Sequence, residues 1–98
     1  MGTDFGVYVQ GHSMEPLYHD GQIAWVRKCE TLNTGDIGIL FYDGSSYIKE
    51  YTEEEPDEDD LRVYGYIRQK IVLHSLNPDY PDIPVECDDF RIFGRVLN

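Results

Sequence analysis

Three kinds of side chain in this sequence could do covalent or proton-transfer chemistry: a turn serine, three histidines and one strand lysine. Ser13 stands in GHSMEP (11–16), directly after an apolar strand pattern. A Ser hydroxyl is a poor nucleophile until a base within hydrogen-bond reach takes its proton. Gly and Pro also punctuate ordinary loops, so the turn alone reads first as a loop with a serine in it. The histidines are the first bases to try. A Ser-His-Asp arrangement would need His74, but its IVLHSLNP context carries no mark of a base. His12 is the direct neighbour of Ser13, so its ring points more naturally elsewhere, and His19 has no distinguishing context. All three read as ordinary, partly exposed residues. As a two-His metal site, His12 and His19 find no carboxylate or Cys partner at suitable spacing, so neither a metal nor a cofactor is expected.

Lys49 lies in SYIKEY (46–51), where strand alternation puts Tyr47, Lys49 and Tyr51 on one face and Ile48 and Glu50 on the other. If that face is buried, desolvation disfavours the ammonium and frees a neutral amine to act as a general base. Taken alone, the strand favours a plainer reading: an edge lysine with its head in water and its stem over the Tyr rings.

These residues must be held by β-structure. FGVYVQ (5–10), QIAWVRK (22–28), DIGILFY (36–42), SYIKEY (46–51), LRVYGYI (61–67), QKIVLHS (69–75) and FRIFGRVL (90–97) all have strand character. Asp20-Gly21 and Asp43-Gly44 are hairpin-type turn signals between them. No stretch shows a helical apolar stripe of normal length; MEPLYH (14–19) is at most one turn, with Pro16 near its start. The spacing predicts a mostly β protein of short twisted sheets and hairpins with little helix.

The 98 residues suffice for one domain with a single modest core, and the eight tyrosines and apolar content argue that it folds. A net charge of −11 opposes a nucleic-acid surface on this segment. The two cysteines, Cys29 and Cys87, lie in no metal-type spacing and read as free thiols of a cytoplasmic protein. No apolar run is long enough for a membrane span or signal peptide. EEEPDEDD (53–60) carries seven acidic residues in eight. It reads as a solvated hairpin tip rather than a cation loop, because the Gly spacing of an EF-hand is missing.

Ser13 and Lys49 gain weight together. In order along the chain, VQGHSMEPLYHDGQIAWV, NTGDIGIL, YIKEY, LHSLNPDYPDI and IFGRVL resemble the peptidase-like C-terminal domain of LexA-type and prophage self-cleaving repressors. That family is related in fold and dyad to bacterial signal peptidase, and the resemblance covers almost the whole chain. It implies a LexA/signal-peptidase-like, β-clip-like fold over 1–98, with Ser13 as nucleophile and Lys49, 36 positions later, as its base. The backbone amides at Ser13 and Met14 would help hold the oxyanion, and Gly11 and Pro16 would shape the turn.

The resemblance further implies the regulatory half of a bacterial transcriptional repressor, cutting its own linker as in an SOS response. DNA would be bound only through an N-terminal domain that this chain does not carry, and a RecA-type activator is allowed. A homodimer is implied through the C-terminal strand, at Phe90, Ile92, Phe93 and Val96. The alternative of another class is a catalytically silent dimerisation module. Two features depart from the pattern. Only twelve residues precede Ser13, and the family's scissile Ala-Gly or Cys-Gly dipeptide occurs nowhere, so cis cleavage within this segment is not expected. Signal peptidase itself would need an anchor and an apolar, membrane-apposed surface, and no membrane association is expected.

Overall fold

A computed structural model describes residues 3–55 and 70–98. Its elements are β1 (Phe5–Tyr8), β2 (Ile23–Lys28), β3 (Ile37–Tyr42), β4 (Ser45–Glu54), β5 (Lys70–His74), β6 (Ile83–Pro84) and β7 (Phe90–Val96). They form one antiparallel sheet in the order β1-β2-β7-β3-β4-β5-β6, and no helix occurs among the described residues. The mostly β architecture expected from the strand spacing is what the chain adopts. LRVYGYI and the acidic residues beyond Glu55 lie outside the described residues; Glu53, Glu54 and Glu55 are exposed. The two-residue β6, half of it proline, is too short to give any alternation, so the sequence carries no strand signal for it.

Of the two hairpin signals, Asp43-Gly44 makes a tight turn, while Asp20-Gly21 closes the long connection between Tyr8 and Ile23. Asp43 and Gly44 both take positive φ, 50° and 82°, between the paired residues Tyr42 and Ser45. That is the backbone a two-residue hairpin turn matching the strand twist demands. The apolar run in β3 follows from its central place between β7 and β4, where Gly38, Ile39 and Leu40 are buried although their side chains alternate between faces.

Two cores result. Ile39 faces a cluster with Val9, Met14, Tyr18, Ala24, Val26 and Val96, joined by Ile48 of β4. Leu40 faces the other, with Leu32, Tyr51 and Leu73. The β1–β2 hairpin and the turn after Ser13 thus cover one face of β3–β4, while Leu32 and the chain from Ile83 to Ile92 cover the opposite face. Gly38 makes the second covering possible. A Cβ there would stand 2.4 Å from Leu32 Cδ1, so only glycine lets Leu32 lie down on the sheet. Full burial of a side chain such as Met14, Leu40 or Leu73 stabilises the fold by about 1.5–3 kcal/mol each.

Candidate active site

Ser13 sits in the β1–β2 connection, which the sequence shapes in three ways. Gly11 adopts φ +87° and its N–H donates to Asp20 Oδ1 at 2.8 Å, tying the start of the connection to its end. The Glu15–Pro16 peptide is cis. Tyr18 N–H donates to the Met14 carbonyl at 3.0 Å, the single turn that MEPLYH was expected to allow. Met14 is 1 % exposed and anchors the turn in the first core, leaving Ser13 half-buried beside it.

Lys49 comes from β4, which lies between β3 and β5 and is therefore no edge strand. Its register places it opposite Gly38, with Tyr51 two residues on opposite Leu73. Tyr47, Lys49 and Tyr51 share one face as the alternation predicts, and Lys49 is only 6 % exposed. Its Nζ donates a 2.7 Å hydrogen bond to Ser75 Oγ, itself 2 % exposed. The rings of Tyr47 and Tyr80 stand 6.0 Å from the amine, at the limit of a cation–π contact. Burial pushes the Lys49 pKa below its ordinary value. Neighbouring Tyr51 is pushed up by burial and by Glu53, to which it donates at 2.6 Å, so its phenol stays protonated.

Ser13, Lys49, Ser75, Tyr47 and Tyr80 line one open cavity of about 340 Å³, together with Gln10 and Gly11. It lies at the seam of the two cores: Met14 of the first follows Ser13, while Tyr51 and Leu73 of the second stand two residues from Lys49 and Ser75. The chemistry open to this arrangement is that of a hydroxyl and a desolvated amine facing one solvent-accessible space. The amine's hydrogen bond goes to Ser75, so the structure places Ser13 and Lys49 in one cavity without joining them directly.

The histidines lie elsewhere or play other parts. His74 pairs with Asp82 on the exposed side of β5 and does not line the cavity. His12 lines it, but its Nδ1 stands 3.3 Å from Glu15 Oε2, and His19 Nδ1 approaches the same oxygen at 3.3 Å. The expectation that these two rings lack a carboxylate partner is thus corrected: the turn brings Glu15 between them. Hydrogen bonds from His12 and His19 hold the Glu15 carboxyl below its ordinary range. Among the described residues no group of three or more His, Cys, Asp or Glu is arranged to hold a metal ion. Cys29 is half-buried, Cys87 is exposed, and both are free thiols.

Two residues of the site escaped the reading of the sequence as chemistry. Ser75 and Asn77 were visible only as part of LHSLNPDYPDI, because a serine or asparagine before a proline reads first as turn material. Ser75 meets the Lys49 amine and Asn77 Nδ2 donates to the His12 carbonyl at 2.9 Å, placements that depend on the β4–β5 register and on the fold of the 75–82 loop, which no local pattern encodes. No helix of the described residues is long and apolar enough to cross a membrane. The Peptidase S24-like family model matches residues 1–97. With that match across nearly its whole length, the chain belongs to the Peptidase S24-like family, the family of LexA-type peptidase-like domains.

Proposed function

We propose that the chain is a Ser-Lys serine endopeptidase domain in which Lys49 activates Ser13 to cut the linker of its own full-length protein. One observation carries the reading: a lysine amine 6 % exposed, with its pKa depressed by burial, lines the same cavity as a turn serine. Ser13 Oγ attacks the scissile carbonyl carbon while the neutral Lys49 amine takes the hydroxyl proton. The Ser13 and Met14 N–H groups hold the resulting oxyanion. The ammonium then returns its proton to the leaving nitrogen as the peptide bond breaks. Water, deprotonated by the same amine, releases the acyl group. Ser75 keeps the amine in place between turns of this cycle.

Docking of a linker over the cavity would exclude water and favour the neutral amine further. An activator such as a RecA-type filament would act by stabilising that docked state, without supplying a catalytic group. The repressor role follows from the family resemblance. Self-association is supported by a groove of about 780 Å³ lined by Phe41, Phe90, Ile92 and Phe93 together with the charged Lys28, Glu30 and Arg91. Val96 is buried in the chain's own first core, whereas Phe90, Ile92 and Phe93 are only partly buried against the two cores and keep surface that a partner could cover. A monomer mass unchanged up to tens of micromolar in sedimentation would count against the dimer.

The test of the peptidase is alkaline autocleavage of the protein carrying its upstream linker. Ser13→Ala and Lys49→Ala should each abolish cleavage while the domain stays folded. Cleavage persisting in both variants would refute the assignment.

A further inference from the structure

Asn77 makes more contacts to the serine turn than any catalytic candidate does, although it reacts with nothing. Its main-chain N–H donates to the Ser13 carbonyl at 2.8 Å and its Nδ2 donates to the His12 carbonyl at 2.9 Å. Its own side-chain oxygen accepts from Asp79 N–H at 3.0 Å, and its carbonyl accepts from Tyr80 N–H at 3.1 Å. The side-chain amide has only one satisfactory orientation. Turned over, it would set oxygen against the His12 carbonyl and NH₂ against an N–H.

The two carbonyls Asn77 holds belong to consecutive peptide planes. In a trans peptide the N–H points opposite to the C=O of the same plane. Fixing the His12 carbonyl therefore fixes the direction of Ser13 N–H, and fixing the Ser13 carbonyl fixes that of Met14 N–H. Both amides are turned away from Asn77, and neither has a protein hydrogen-bond partner among the described residues. Unsatisfied, co-oriented amides at a nucleophile are what a developing oxyanion requires. Met14 is held by its own burial, and the His12 carbonyl also accepts from Glu15 N–H at 3.2 Å within the turn; the shorter 2.9 Å bond from Asn77 Nδ2 is the one that ties this plane to the neighbouring loop.

We propose that Asn77 is the positioning residue of the site, holding two adjacent peptide planes so that the Ser13 and Met14 N–H groups form the oxyanion donor pair. The same contacts join the serine turn to the loop bearing Ser75 and Tyr80, so that nucleophile, donors and the anchor of the amine keep one geometry. This inference rests on the peptidase reading above.

The test is phosphonylation of the purified protein by a fluorophosphonate ester, whose P=O oxygen occupies the donor site while Ser13 displaces fluoride. Rates are taken across pH and normalised to the folded fraction. Asn77→Ala removes the side-chain bond but keeps the main-chain donation to Ser13. It should lower the limiting rate about tenfold or more, against the 10²–10³ typical of losing a donor outright. The pH midpoint should stay unchanged, because the main-chain donation to Ser13 still joins the two loops and Ser75 still holds the amine. Asn77→Gln, which can still donate to His12, should recover part of the loss, whereas loss of packing alone would not respond to a restored donor. Asn77→Ala rates within twofold of the parent, or a loss accounted for by a moved midpoint, would overturn the assignment of Asn77. Failure of the parent protein to be labelled at Ser13 would overturn the peptidase reading itself, and this inference with it.

Discussion

The two walls of the cavity are built on opposite principles. Ser13 rides on a turn, half-exposed, and is located by a glycine with positive φ, a buried methionine next door and the Asn77 bracket. Lys49 sits on the inner strand β4 and Ser75 directly follows its partner β5, 6 % and 2 % exposed, with the register set by pairs such as Tyr51 with Leu73. A nucleophile must meet a substrate, so it cannot be buried. A lysine must be kept from water if its amine is to be neutral near physiological pH, so it has to be buried. Dividing the pair between a turn and a sheet meets both demands. It also makes the two walls fail differently.

The largest effect short of removing Ser13 or Lys49 is expected on the strand wall. Ser75→Ala leaves the buried amine without its hydrogen-bond partner, which should cost about 1–3 kcal/mol of stability in denaturant titration. An amine displaced by even an ångström should slow Ser13 acylation by about tenfold to a hundredfold. Equal rates in the parent and Ser75→Ala would mean that Lys49 does not need its anchor.

A smaller effect should come from Gly38→Ala on the same wall. The added Cβ meets Leu32 Cδ1 at 2.4 Å and the Gly94 carbonyl at 3.1 Å, so the Leu32 side chain must shift within the second core. Overpacking of this kind costs about 1–3 kcal/mol, and because Gly38 pairs with Lys49 the activity should fall with the stability. Gly11→Ala is the counterpart on the turn wall. Nothing lies within 4 Å of its added Cβ, so only the φ of +87° penalises it, by about 1–2 kcal/mol. It should slow acylation while leaving the pH midpoint alone. A Gly11→Ala variant less stable than Gly38→Ala would reverse the contrast between the walls.

The same contrast decides what the sequence could reveal. Strand alternation in SYIKEY placed Tyr47, Lys49 and Tyr51 on one face, and the structure agrees. The alternation could not say whether that face is dry. The dryness of Lys49 depends on β3 and β5 flanking β4 and on the rings of Tyr47 and Tyr80, which are tertiary facts. The serine turn was marked by its Gly and Pro, yet Glu15 between His12 and His19 was missed, because turn geometry rather than helical or strand spacing brings the rings together. Ser75 and Asn77 stayed hidden inside a stretch legible only as a family resemblance. Strands with long alternating or apolar runs were read to within a few residues, while β6, at two residues, had no pattern to read.

The central claim is that the depressed pKa of Lys49 lets a neutral amine activate Ser13, and the pH dependence of Ser13 phosphonylation tests it most directly. Burial lowers the Lys49 pKa from its ordinary 10.5, so the reactive amine fraction must rise at lower pH than in an exposed lysine. The rate should therefore climb with pH through a single midpoint below 10.5 and then level off, and Lys49→Ala should abolish the climb. A midpoint at the ordinary lysine value, or the same profile in Lys49→Ala, would contradict the account.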